Sequence, residues 1–529
     1  MDSVFFSAKS ASGAQIPVRA RWDELLVTWD FQKLAQVFSL ALGLFIAHTL
    51  ANAIYRLWFH PLAKFPGPRL NAVLYWPYLY SNHVQGSWVR KVSELHRKYG
   101  PVVRIGPNHL SLDGAVAWPE VFALRGAEEC PKPVNHFFEG DSASLIGAPR
   151  DVHRRQRRQL NHAFSDASLT KQEVTIKRYV DMTMQRLSSR ADAGTTINFV
   201  DWMNFTTFDI IGDLAFSESF DCLEKNGYHP WVLSLFEGIR GGAMRRFLLS
   251  YPLLKLVVTT LGLSKDMKTQ TRNRYLAREK AKNRMEKGLE TTEGHADFMT
   301  YMMKANRDGQ HGFEDHEMLA TAPIIVVAGS ETTATALSGL MFQLTQQPEI
   351  YKKVTDEIRA TFSSEDDITL RSSATLEYLH ACTEEILRFY PPAAETSPRI
   401  STGRLIAGNY VPAGTRMSVY QFQTFRNPDH WAEPDSFIPE RWLSETHPLY
   451  DPKFKSDNHA IFKPFSFGAR DCIGKNLAYS ELRLIAARFM YRFDFELASK
   501  QDDWQNSQRI FGVWEKGPLN LLLKARNSA

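Results

Sequence analysis

A mainly α-helical fold with small β-sheets is predicted for this chain of 529 residues. Three observations predict it. Asp315 to Gln347 is a long, apolar-rich helix candidate. Thr375 to Phe389 keeps Leu376, Leu379, Ala381, Cys382, Ile386 and Leu387 near one stripe and stops at Pro391 and Pro392. Strand signals are short by comparison, at Val102–Leu112 and at Tyr410–Tyr420, where Val411 to Gly414 makes a turn.

Composition narrows the class. Hydrophobic residues make up 44% and charged residues 23%, which excludes a disordered or collagen-like chain. The net charge of +5 is too small to argue for nucleic acid, and none is expected as a partner. The 4 cysteines, Cys130, Cys222, Cys382 and Cys472, form no CxxC pair, so neither a zinc site nor a disulfide framework is expected. Scattered thiols fit a reducing compartment.

Taken in order, residues 1–33 read as an N-terminal segment. Residues 34–55 carry no formal charge. As a helix they span about 33 Å at roughly 1.5 Å per residue, enough for a bilayer core. Trp58 and Phe59, with Arg56 and Lys64, follow as interfacial anchors would. The segment reads as a single transmembrane anchor, against the alternative of a buried core helix. It starts late for a signal peptide and lacks a cleavage site. Arg19, Arg21 and Lys33 before it balance Arg56, Lys64 and Arg69 after it, so charge does not set its orientation. Residues 56–70 read as a proline-rich hinge around Pro66, Gly67 and Pro68. Residues 71–529 show no linker or repeat and read as one large unit. The basic run from Arg150 to Arg158 has the pattern of a solvated helix face. Asn204 begins a glycosylation sequon inside a segment patterned as a packed helix, which argues against its use.

The informative segment holds Phe465, Gly468, Arg470, Cys472 and Gly474. A thiolate ligand needs backbone N–H donors and a nearby helix N-terminus. Cys472 stands just before a good helix pattern beginning near Lys475. Gly468 permits a tight turn, and Gly474 lets the next helix lie flat against a ring system. Arg470 offers a charge-assisted partner to a carboxylate. Phe465 shields the sulfur from water, which tunes its electronics.

These five positions, at this spacing, resemble the haem-thiolate signature of the cytochrome P-450 family. The resemblance implies a haem b held between a long oxygen-binding helix and a cysteine-ligand helix, with Cys472 as axial iron ligand. It extends from about residue 60 to 525. Glu385 and Arg388, three apart on one helix, and Arg441 downstream match the family's structural charge triad. Ala328, Gly329, Glu331 and Thr332 match its oxygen-binding groove, with Thr332 handling oxygen and Glu331 relaying protons. Glycine and threonine are poor mid-helix choices, a violation that such a groove accounts for. Pro323 is unexpected in that helix and predicts a kink in its first turns. His153 and Arg157 match the family's Trp-x-x-x-Arg propionate pair, with His replacing Trp. Arg399 and Arg470 match its other propionate contacts.

The stretches Tyr55–Pro68, Asp201–Asp209 and Phe465–Glu481 are similar to fungal membrane-bound members of secondary metabolism, the group that includes trichothecene and polyketide-toxin oxygenases. That implies NADPH- and O2-dependent hydroxylation or related oxidation of an apolar terpenoid or polyketide. It implies electrons from an NADPH-cytochrome reductase, with cytochrome b5 as a further donor, and a cytosolic catalytic domain on the endoplasmic reticulum membrane. Arg154, Arg155, Arg158 and Lys475 would make the thiolate side positive toward an acidic reductase. The substrate pocket is expected from the loop before Arg150, residues 216–253, Ile325–Gly329, Ala393–Thr396 and Phe511–Val513. An electron-independent haem-thiolate isomerase or dehydratase, or a non-catalytic haem-binding membrane protein, are the competing readings.

Overall fold

The computed structural model describes residues 31–134, 141–260, 278–289, 296–305, 309 and 312–526. The chain divides into two compact units, Met1–His60 and Pro61–Ala529. In the first, α1 (Phe31–Ile54) continues as a π-helical turn over Tyr55–Phe59. Its large apolar side chains, Phe38, Leu40, Leu44 and Phe45 among them, are exposed. Arg19 and Arg21 lie outside the described residues.

From Pro61 onward the chain belongs to the second unit. The segment read as a hinge is therefore partly packed. Leu62 and Phe65 are buried, and the Arg104 amide donates to the Pro66 carbonyl at 2.7 Å. Gly67 lies so close to the Arg104 carbonyl that a Cβ has no room. The prolines fix the chain against a strand instead of leaving a free joint.

The second unit is built mainly of helices. In chain order they include α2 (Trp88–Tyr99), α3 (Arg150–Leu160), α4 (Asp166–Asp192), α5 (Phe199–Phe216), α6 (Pro230–Leu249), α7 (Asp315–Gln346), α8 (Pro348–Thr361), α9 (Glu377–Phe389) and α10 (Lys475–Arg492). The strands are short: β1 (Val102–Gly106), β2 (His109–Leu112), β3 (Ile197–Asn198), β4 (Arg399–Ile400), β5 (Arg404–Ile406), β6 (Asn409–Val411), β7 (Arg416–Val419), β8 (Phe493–Leu497), β9 (Arg509–Ile510), β10 (Trp514–Glu515) and β11 (Asn520–Ala525). The first predicted strand region supplies β1 and β2 and the second supplies β7 to one sheet of order β1-β2-β7-β4, in which β2 and β7 run parallel, while β6 pairs with β5 in another. Gly414, at φ +83°, makes the turn before β7. A second sheet has the order β3-β11-β8.

Helix α7 crosses the core against α5, α9 and α10. Its start is a reciprocal cap between Glu314 and Glu317. Glu317 is also gripped by Arg155 at 2.6 and 2.9 Å. The helix runs through Pro323 without a break. Asn204 is buried and donates to the Tyr228 hydroxyl at 2.9 Å, as expected for a packed helix.

The charge triad is fully buried. Glu385 accepts from Arg388 at 2.7 and 2.8 Å and forms a 3.2 Å ion pair with Arg441. It also accepts from the Ile438 amide and the Trp442 indole. Arg441 pairs in addition with Asp457. Every charge in this cluster has a counter-charge or a carbonyl, the condition under which buried ions are tolerated. The cluster pins the segment around Phe437–Trp442 to α9.

Candidate active site

A cavity of about 430 Å³ opens between α7 and the loop leading into α10. Its lining brings together Ala328, Gly329 and Thr332 from α7, His153 and Arg157 from α3, Arg399 from β4, and Phe465, Arg470, Cys472 and Gly474 from the loop. These residues are scattered over the sequence and meet only in the fold.

The loop is shaped by close approaches. Gly468 has φ +85°, where a side chain is strained, and its α-carbon faces the Phe122 carbonyl with no room for a Cβ. The Cys472 amide donates to the Phe465 carbonyl at 2.8 Å and folds the loop on itself. The Phe465 ring packs on Tyr479, centroids 5.0 Å apart. At Gly474 a Cβ would make ordinary contacts, 3.7 Å from Phe164 Cε1 and 4.0 Å from Cys472 Sγ, so packing alone does not call for glycine. The Cys472 thiol opens on the cavity, yet lies deep in the protein. Burial pushes it up, opposed by the Gly474 amide and the charges of Arg157 and Lys475. Those three favour the thiolate that a metal would bind.

One edge of the cavity is crowded with cations. Arg470, whose side chain is 4% exposed, pairs with Glu129 at 2.5 Å and donates to the Ala148 carbonyl. Arg399 is buried, lies over the Phe122 ring, and meets the Ser397 carbonyl at 3.4 Å. His153 is buried and pushed down to about 3, first by burial and then by Arg470, Lys132, Arg157 and Arg399. Among the described residues its ring has no hydrogen-bond partner. Arg157 donates to the Asp471 carbonyl and carboxylate at 2.5 and 2.6 Å, so part of its function is to brace the residue before Cys472. Lys132, which sequence reasoning passed over, joins this edge. Neutral His153 offers an N–H, and the positive charges exceed Glu129 and Asp471. A flat group with two carboxylates at this edge and a thiolate beneath it, as haem has, fits the donor set.

On the opposite wall the Thr332 hydroxyl donates to the Ala328 carbonyl at 2.6 Å, within its own helix. Gly329 lines the cavity, and its missing side chain also leaves room for a neighbour on another helix. A Cβ there would come 2.6 Å from Ile211 Cδ1 on α5. Glu331 is not in the cavity wall. Its side chain is 2% exposed and paired with Lys516, far along the chain. Successive helix positions diverge by about 100°, so Thr332 and Glu331 face different neighbours.

The substrate-facing regions expected from sequence are mostly present: Leu145 and Ile146, Ile325, Ala393, Glu395 and Thr396, and Gly512. Residues 216–253 are a correction. None lines the cavity among the described residues; Ile211 of α5 stands there instead. Glu481 of α10 also lines it and was singled out by nothing in the sequence. Arg154, Arg158 and Lys475 are exposed, whereas Arg155 is taken up by Glu317.

The helical fold, the thiol under the cavity and the cationic edge define a haem-thiolate monooxygenase. The chain belongs to the cytochrome P450 family, which it matches over residues 66–522. It is 40% identical over 491 residues to the cytochrome P450 monooxygenase astJ of Aspergillus oryzae, covering 91% of this chain and 96% of that one. It is 37% identical over 500 residues to trichothecene C-15 hydroxylase of Fusarium sporotrichioides, covering 93% and 98%. With averantin hydroxylase of Dothistroma septosporum the identity is 36% over 500 residues, covering 92% and 91%.

Proposed function

We propose that this protein uses NADPH and dioxygen to hydroxylate or otherwise oxidise an apolar secondary metabolite, a terpenoid or a polyketide, in a fungal biosynthetic pathway. The observation that carries this reading is the division of the cavity. Leu145, Ile146, Ile324, Ile325 and Ala393 make an apolar chamber, while the cations gather at one edge. The relatives named as hydroxylases support it.

Cys472 would hold the haem iron. Arg399, Arg470 and His153 would hold its carboxylates, with Arg157 steadying Asp471. So held, haem supplies the activation of dioxygen, one oxygen atom entering the substrate and the other leaving as water. The Thr332 hydroxyl can turn from the Ala328 carbonyl into the cavity and hold a hydrogen bond or a proton there. Glu331 supplies protons from the far side of α7. Phe465 keeps water from the sulfur. The Glu385–Arg388–Arg441 cluster fixes the geometry under the loop.

NADPH-cytochrome reductase would deliver the electrons, with cytochrome b5 as a further donor. Exposed Arg154, Arg158 and Lys475 suit an acidic partner. Lys33–Phe59 is long and apolar enough to cross a bilayer, and serves in this reading as a single-pass anchor in the endoplasmic reticulum. The catalytic unit then faces the cytosol.

The test is spectroscopic and then catalytic. Cys472→Ala is expected to lose the red-shifted Soret band of the ferrous carbon monoxide complex; a mutant that keeps it removes Cys472 as ligand. Product formation from an apolar library should require both NADPH and reductase. Product without them would favour the isomerase reading.

A further inference from the structure

Glu331 is held by a residue far from the haem-binding motifs. Lys516 follows β10 and directs its ammonium onto Glu331 Oε1 and, at 2.7 Å, onto Thr335 Oγ1 one turn along α7. The Lys516 and Glu331 side chains are 3% and 2% exposed. The other carboxylate oxygen, Oε2, is buried and has no hydrogen-bond partner among the described residues. Tyr228 and Tyr390 also lie within electrostatic reach of Glu331. Both are pushed up, first by burial, so both stay neutral. Lys516 is the cation that forms an ion pair with Glu331 among the described residues.

A carboxylate taken out of water without a counter-ion becomes the neutral acid. Lys516 removes that tendency, and by occupying Oε1 it leaves Oε2 as the open acceptor. The same residue belongs to the C-terminal hairpin that places Gly512 in the cavity wall. The hairpin is fastened to the end of α9 by the Trp514 indole, which donates to the Pro391 carbonyl at 2.8 Å. Its position, and with it the ammonium, is set by the fold.

We propose that Lys516 is a positioning residue for proton supply. It keeps Glu331 ionised, with Oε2 free to take a proton from hydronium of the bulk solvent and pass it to the Thr332 side of α7, after which the carboxylate is restored. This rests on the reading of Glu331 as the proton relay.

The experiment uses the full-length holoenzyme with reductase in phosphatidylcholine vesicles. Peroxide formed per NADPH consumed is measured for the wild type, Lys516→Met, Lys516→Arg, Glu331→Gln and the double variant. Infrared difference spectra against Glu331→Gln report whether Glu331 carries a proton. Lys516→Met should gain the carbonyl band of a protonated carboxyl and raise the peroxide share to the level of Glu331→Gln. Lys516→Arg should restore both readouts. In the double variant, which buries no unpaired charge, the peroxide share should equal that of Glu331→Gln alone. If Lys516→Met leaves both readouts at wild-type values while Glu331→Gln raises peroxide, the role of Lys516 is overturned. If Lys516→Met does not fold, a double variant that exceeds Glu331→Gln overturns it equally. If Glu331→Gln leaves the peroxide share unchanged, the relay reading itself fails, and this inference with it.

Discussion

Thr333 on α7 and Glu481 on α10 are joined by a hydrogen bond of 3.1 Å at the back of the cavity. The pair ties the wall that carries Thr332 to the helix that follows Cys472. Glu481 is buried, and burial pushes it up to about 8, opposed only by Thr333. Burial thus favours the neutral carboxyl, which shares this contact with the Thr333 hydroxyl.

This gives a pH dependence with a definite sign. A carboxyl whose folded value is raised binds its proton more tightly in the folded state. Its contribution to stability is full below its ordinary value of 4.5 and is lost as the pH rises to about 8. Glu481→Gln, which keeps the shape and the hydrogen bond, should flatten that slope. Thermal midpoints of the two proteins across this window decide it. Equal slopes would show that Glu481 is charged in the folded protein, or that its proton is not linked to folding.

The cationic edge predicts how strongly haem is retained. Arg399 is buried with one long contact to a carbonyl, so its guanidinium is available to a carboxylate. Arg470 already answers Glu129. Removing Arg399 should therefore cost more haem affinity than removing Arg157, which is engaged with Asp471. A charge-assisted bond of about 1.5–3 kcal/mol corresponds to roughly tenfold or more in affinity. Haem transfer from Arg399→Leu to excess apomyoglobin should be faster than from Arg157→Leu by about that factor. Arg399→Lys should fall between, because lysine supplies charge without the planar fork. Equal transfer rates for the two leucine variants would place the carboxylates elsewhere.

What was legible in the sequence was local. Cys472 and its loop, the stripe ending at Pro391 and the apolar run through Gly329 each declare themselves within a few turns of chain. Periodicity and turn chemistry act at that range. The partners those residues meet did not. Lys516 reaches Glu331 and Ile211 fills the notch at Gly329 only because the fold brings separate elements together. The same holds for Asp457 on Arg441. The proline-rich segment shows the limit from the other side. Its composition announces stiffness, but whether a stiff segment swings or packs depends on Arg104 of β1, which composition does not contain.

Gly329 offers the sharpest test of that distinction, because two explanations of one glycine predict different rescues. If the residue is small only to leave room over the haem, any side chain there acts on the cavity alone, and changes on α5 are irrelevant. The geometry assigns the constraint to α5: a Cβ would stand 2.6 Å from Ile211 Cδ1 and 2.9 Å from Cγ1. Contacts this short force a rotamer change or a helix shift, at about 1–3 kcal/mol for an overpacked core. The opposing gain in helix propensity from Gly to Ala is about 1 kcal/mol. Gly329→Ala should therefore lower stability by a small net amount, and Gly329→Val by more. Ile211→Ala alone should cost about 2–5 kcal/mol through its cavity. Combined with Gly329→Val it should cost less than the sum, since the new side chain occupies the vacated space. Chemical denaturation of the four proteins completes the cycle. Strict additivity would return Gly329 to the cavity, and a favourable coupling of about 1 kcal/mol or more would fix it as the notch in which α5 and α7 meet.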